Sequence, residues 1–301
     1  MAGNSENHLL EKLYIEDIKL DEAQDRRSSK VLEKVLKTVL DTAKEKSADF
    51  KELYRETYYG GSYYDKLKVK STDFEYDLNI VFSTPRTSWR LTSLGDDARK
   101  PNFASMVSSH HPTSEAWNSL MAKDRQGNAA ISPKKMFSVL QTAVDRALTE
   151  VQCLVVVEGE EFSVTRSTGA PVILNVKGPG VRFTVDLVPS FKLELSHLKI
   201  ACSALKETVD SILRDRNIEV KTFMAIALKN ASSDMFEVDF HDIERGILQK
   251  TGGCVYKVVM LIKYLRDQKG GTMNKLWSHL LKVINRAESN SLVTLHTSRQ
   301  W

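Results

Sequence analysis

Cysteine is scarce in this chain. There are three in 301 residues, Cys153, Cys202 and Cys254. The odd count and wide spacing argue against a disulfide framework, and no pair has the Cys-x-x-Cys spacing of a zinc or redox site. No uninterrupted apolar stretch approaches the roughly 20 residues of a membrane span. The opening residues, MAGNSENHLL, lack the basic-then-apolar layout of a signal peptide, and Ala2 stands where a myristoylation site needs glycine. A cytosolic protein is therefore expected. A strong excess of one charge is also missing: 43 basic against 39 acidic residues leave a net +4, which permits nucleic-acid binding without demanding it. Internal repeats and low-complexity tracts are absent. With 42% hydrophobic residues, the length suffices for one large or two modest domains with real cores.

The chemistry concentrates in Gly60–Phe82, GGSYYDKLKVKSTDFEYDLNIVF. Gly60 and Gly61 carry no Cβ, so backbone N–H groups there can approach a phosphate, and the Ser62 hydroxyl can donate to one. The strand that follows alternates. Glu75, Asp77 and Asn79 share one face, and Phe74, Tyr76, Leu78 and Ile80 share the other. A third acid, Asp186, lies in the apolar run Val181–Val188, where an unpartnered buried carboxylate is costly. Either feature alone is commonplace: most Gly-Gly-Ser turns are only turns, and most Glu-x-Asp strands are only wet sheet faces. Together they predict hard oxygen ligands for two Mg²⁺ or Mn²⁺ ions beside a nucleoside triphosphate. Nucleotidyl transfer is the expected reaction.

Ser28 or Ser29 is expected to cap a long helix running to about Thr57. Leu32, Val35, Leu36, Val39 and Ala43 recur on one face at helical spacing. Lys30, Lys34, Lys37, Lys44, Lys51 and Arg55 lie on the other, interleaved with acids such as Glu33 and Glu52. That stripe reads either as a solvated face or as a ladder for the phosphates of double-stranded RNA, which is recognised largely by shape and backbone. Ser132-Pro133 is expected to open another helix, Val151–Val157 and Val172–Val176 to be strands, and Pro189 to end the Asp186 strand. From Ser190 the pattern turns helical. The division expected is an accessory segment over 1–27, a catalytic core over 28–190 and a helical lobe over 191–301.

The blocks YYGGSYYDKLKV, FEYDLNIVF, SPKKMFSVLQTAVDRAL, VDLVPSF, FHDIERGIL and VVMLIKYLRDQ resemble the cGAS-like receptors, a branch of the male-abnormal nucleotidyltransferase family. The likeness runs from about Leu32 to Lys282. It implies a bilobal α/β fold: a mixed-sheet catalytic lobe, a long spine helix and a helical C-lobe. It implies Glu75, Asp77 and Asp186 as the metal triad, and Ser62, with Gly61, on a phosphate. Lys263 and Ser278 would reach the donor nucleotide, and Lys229 would lie near the acceptor. The vertebrate branch carries a zinc-binding insertion before its lysine helix. Here that place holds only QKTGGCV (Gln249–Val255), so no zinc is expected and double-stranded RNA is favoured over DNA. The position of a family arginine holds Glu237, and His279 stands where a base-stacking aromatic is found, so the linkage made stays open. After Lys282 the chain is short and polar, and an incomplete C-lobe is expected.

What the resemblance implies is a cytosolic enzyme that, on binding double-stranded RNA, joins ATP and GTP into cyclic GMP-AMP. That product would act in antiviral immunity through a cyclic-dinucleotide receptor of the STING type. Lys66, Lys68 and Lys70, between the turn and the metal strand, would meet the RNA or the triphosphate. Three alternatives remain open: an inactive scaffold or truncated isoform, a DNA-activated enzyme, and a maker of linear oligonucleotides.

Overall fold

In the computed structural model, the residues described lie within 11–264; positions 13, 20–21, 61–73, 85–88, 94–102, 109–113, 125, 169–171, 202, 228–234, 252–259 and 262–263 fall outside the description, as do 1–10 and 265–301. A π-helical turn, Tyr14–Ile18, leads into helix α1, Glu22–Lys46. The expected single helix to Thr57 is three elements instead. Helix α1 begins at Glu22, with Ser28 buried inside it and the Ser29 hydroxyl donating back to the Asp25 carbonyl, so neither serine is a cap. It stops at Lys46. Ser47 then caps a short helix α2, Ala48–Leu53, by accepting from the Phe50 N–H at 3.3 Å. The aromatic, β-branched run YRETYY becomes strand β1, Tyr54–Tyr59.

Strand β2, Phe74–Phe82, pairs antiparallel with β1. Next come β3 (Trp89–Ser93), β4 (Phe103–Ser108), helix α3 (Glu115–Leu120), β5 (Met121–Lys123) and β6 (Ala129–Ile131). Helix α4, Pro133–Glu150, starts at the expected proline, buries Met136, Leu140, Ala143 and Ala147, and packs against α1 and the sheet. Strands β7 (Leu154–Val157), β8 (Glu160–Arg166) and β9 (Val172–Gly178) follow. The polar strand β8 was not anticipated. A tight turn with Glu158 and Gly159 both at positive φ folds it back on β7.

Strand β10, Val181–Glu194, is the axis of the sheet. It runs parallel to β2 on one edge; on the other it pairs first with β9 and then with β11, Thr222–Ala227. Pro189 therefore does not end it. The β9 ladder has finished at Leu187 and the β11 ladder begins at Ser190, so the missing N–H falls in the gap between them. Nor is the chain purely helical after Ser190. Helices α5 (Ser196–Ala201) and α6 (Ser203–Asp215) are followed by β11 and by β12, Phe236–Asp239, which joins β4; helix α7, His241–Thr251, comes next. Among the described residues the sheet has 12 strands, in the order β5-β6-β4-β12-β11-β10-β9-β8-β7, with β2 and β1 added beside β10 and β3 beside β4. The expected boundary at 190 lies inside β10.

One face of β2 and β10 is the core. Tyr76, Leu78, Ile80, Val185, Leu187 and Phe191 are all but fully buried, with Phe82 edge-on to both Phe50 and Phe191. The N-terminal segment is docked as well. Ile18 is buried with Met260, and Tyr14, Leu261 and Tyr264 pack around them.

Candidate active site

The site lies on the opposite face of β2 and β10. In the parallel pairing Asp77 is the partner of Asp186, and Glu75 is the partner of Thr184. Partners in a parallel pair project to the same side, about 4.8 Å apart. The three carboxylates accordingly converge, each offering an oxygen within 4.8 Å of the others. Glu75 is exposed, while Asp77 and Asp186 are half-buried. The packed layer behind them, Tyr76, Leu78 and Val185, leaves the backbone little freedom to spread the cluster.

The donor set fits hard divalent cations. It is all carboxylate oxygen, it opens to solvent on one side, and its span suits two ions about 3.5–4 Å apart. Three like charges so close repel one another, and a cation relieves that repulsion. Of the other residues expected at this site, Gly61, Ser62, Lys229, Lys263 and Ser278 lie outside the described residues, as do Lys66, Lys68, Lys70 and His279. Gly60 is described and buried.

The same sheet face extends beyond the triad. Strand pairing places Tyr58 opposite Asn79, and Ser190 and Lys192 continue along β10. Ile226 and Met224 follow on β11, then Glu237 and Asp239 on β12. At this end a polar group that the sequence reading missed meets the start of α7. Asp239 Oδ1 accepts from His241 Nδ1 at 2.8 Å and from the His241 backbone N–H at 3.0 Å. The Tyr58 hydroxyl donates to Asp242 Oδ1 at 2.6 Å, and Arg245 Nη2 donates to the Tyr59 carbonyl at 3.3 Å. Burial, with Glu33 nearby, raises the Tyr59 phenol above its ordinary value. The signal available in the sequence was the run Asp-Phe-His-Asp at a helix start, two acids flanking a histidine.

The cation stripe spans three elements rather than one straight helix. Lys30, Lys34, Lys37 and Lys44 lie on α1, Lys51 on α2 and Arg55 on β1. Several have acidic partners. Lys30 meets Glu158 at 3.2 Å; Lys37 and Lys44 meet Asp41 at 3.0 and 2.7 Å. Hydrogen bonds from Lys44 and then Lys37 hold the Asp41 carboxyl below its ordinary value. Lys34, Lys51 and Arg55 are exposed and have no ion pair among the described residues.

Residues 63–250 match the Mab-21 protein nucleotidyltransferase domain. Two curated proteins resemble the chain, each described as a cyclic GMP-AMP synthase-like receptor. The one from Nicrophorus vespilloides is 25% identical over 227 residues, covering 75% of this chain and 60% of the relative. The one from Microplitis demolitor is 23% identical over 241 residues, covering 74% of this chain and 42% of the relative. The chain thus spans 60% and 42% of the length of these relatives. Among the described residues no helix is long and apolar enough to cross a membrane.

Proposed function

Because this chain belongs to the Mab-21 nucleotidyltransferase-domain family, we propose that it is a cytoplasmic, metal-dependent nucleotidyltransferase that makes cyclic GMP-AMP from ATP and GTP when double-stranded RNA binds. The observation that carries the reading is the in-register meeting of Asp77 and Asp186, with Glu75 beside them, inside a 4.8 Å cluster. Glu75, Asp77 and Asp186 would hold two Mg²⁺ or Mn²⁺ ions. When bound, such ions lower the pKa of an attacking hydroxyl and neutralise the departing pyrophosphate.

The chain's own residues do the positioning. Gly61 and Ser62 follow Gly60 directly and are assigned to the triphosphate, together with Lys263 and Ser278; Lys229 is assigned to the acceptor. The buried layer under β2 and β10 holds the acids in place, so little reorganisation is needed as the reacting groups align. Cations along α1, α2 and β1 supply an RNA-binding ridge outside the catalytic face. The names of the two relatives support the cyclic dinucleotide as product, and a receptor of the STING type would read that product in antiviral defence.

The test uses purified protein with labelled ATP and GTP, Mg²⁺ or Mn²⁺, and double-stranded RNA, double-stranded DNA or neither. Asp77→Ala is the control. A cyclic product that needs RNA and disappears in the control supports the reading. Product with DNA alone, or linear oligomers, would replace the activator or the product. Absence of product in every arm, from folded protein, would favour a scaffold.

A further inference from the structure

The polar group at the start of α7 converges on Gly60, the residue that leads into Gly61 and Ser62. An added Cβ at Gly60 would stand 3.0 Å from His241 Cδ2 and 3.3 Å from Nε2, so the imidazole packs directly on the backbone there. Asp239 holds that ring from its other side. A single carboxylate oxygen receives both the ring Nδ1 and the backbone N–H of His241, with the two side chains only 7% and 9% exposed. Nδ1 thus faces Asp239, and the Cδ2–Nε2 edge of the ring faces Gly60. The neighbours are tied to the same helix. Tyr58 bonds Asp242, lies nearly parallel to the His241 ring at 6.4 Å, and has the Arg245 guanidinium 5.9 Å from its own ring centre. Arg245 also holds the Tyr59 carbonyl.

Three successive residues, Tyr58, Tyr59 and Gly60, are thus held by α7 where the β1–β2 ladder ends at Tyr59. Asn79, opposite Tyr58, is one same-face step of about 7 Å from Asp77. Gly60 follows Tyr59 and Asp77 precedes Leu78, the ladder partner of Tyr59, so seating Gly60 fixes the backbone next to the triad. A buried polar pair is no stronger than an apolar contact of the same size, but it sets direction.

We propose that Asp239 and His241 are positioning residues: the pair seats Gly60 at the end of β1, next to the strand that carries Glu75 and Asp77, and so fixes the backbone that meets the triphosphate. This rests on the nucleotidyltransferase reading above. The pair acts on the nucleotide and not on the metal cluster, and the test separates the two.

Binding of ATP with Mn²⁺ is measured by calorimetry, binding of Mn²⁺ alone by electron paramagnetic resonance, and folding by thermal melting. His241→Ala and Asp239→Ala should bind ATP about tenfold more weakly and leave binding of Mn²⁺ alone within about twofold. Asp239→Asn keeps an accepting oxygen and should restore most of the loss. Gly60→Ala pushes on the ring and should also weaken ATP binding, yet add little on top of His241→Ala, because both act through one contact. ATP binding unchanged in His241→Ala, equal loss of Mn²⁺ binding, or fully additive losses would each overturn the proposal. If His241→Ala does not fold, wild-type ATP affinity in Gly60→Ala overturns it. Wild-type protein that binds Mn²⁺ but no ATP sinks the proposed function and this inference together; an unaffected His241→Ala sinks the inference alone.

Discussion

Asp77 and Asp186 are partners in the parallel pairing of β2 and β10, 109 positions apart in the chain (186 − 77) and side by side on one face of the sheet. With Glu75 they place three carboxylates inside 4.8 Å, over a layer that is almost fully buried.

Asp77→Asn and Asp186→Asn should each abolish nucleotidyl transfer. Each should also raise the melting temperature of the metal-free protein by a few degrees, because one of three mutually repelling charges is gone. Mn²⁺ at about 100 times its Kd should stabilise the wild type by about 2.7 kcal/mol and the variants by much less. Differential scanning calorimetry with and without Mn²⁺ checks both. A variant less stable than the metal-free wild type, yet still stabilised by Mn²⁺, would contradict the clustered-charge account.

Cations without acidic partners should matter most for RNA. Lys34→Ala, Lys51→Ala and Arg55→Ala should each weaken binding of a double-stranded RNA and flatten its salt dependence by roughly one ion per phosphate contact. Lys30→Ala should do less, since Glu158 already offsets Lys30. Fluorescence anisotropy across a salt series measures this; identical salt slopes in all four variants would remove the stripe as the RNA ridge.

Asp41→Asn should strengthen RNA binding severalfold, because it releases both Lys37 and Lys44 from their shared partner. The same salt series reports it, and an unchanged affinity would mean that neither lysine reaches RNA.

The Asp41 pairing should also have a pH signature. Its folded carboxyl is held below the ordinary 3.8, so what the pairing contributes is fully present above that value. It is lost only as pH falls below 3.8 through the folded value. The stability difference between wild type and Asp41→Asn should therefore be flat from neutral pH to about pH 5 and shrink only in stronger acid. Urea melts at several pH values would show it; a difference that vanished near pH 6 would assign the effect to another group.

Gly178→Ala should destabilise the fold by about 1–3 kcal/mol. A Cβ there would run into the ring of Phe162, which is 1% exposed and has no room to retreat. Chemical denaturation measures the change, and Gly178→Ala combined with Phe162→Leu should recover part of it.

Local chemistry made much of this protein legible. Period-two alternation alone set Glu75 and Asp77 on one face of a strand and Tyr76 and Leu78 on the other, and a proline after a serine marked the start of α4. A lone acid among valines and leucines pointed to Asp186, because burying a charge without a partner is costly. What the chain pattern did not disclose depends on contacts distant in sequence. The turn of Tyr54–Tyr59 into a strand follows from pairing with β2, which outweighs the pattern that carried the expected helix on to Thr57. Pro189 sits inside β10 because two different neighbours change places beside it, an exchange no local signal contains. The seating of Gly60 by His241 joins residues 181 positions apart (241 − 60). Side-chain alternation is a property of the backbone's own period and can be read from residue types. Register, edge partners and the docking of α7 are decided by which surfaces bury one another, and only the folded chain makes that choice.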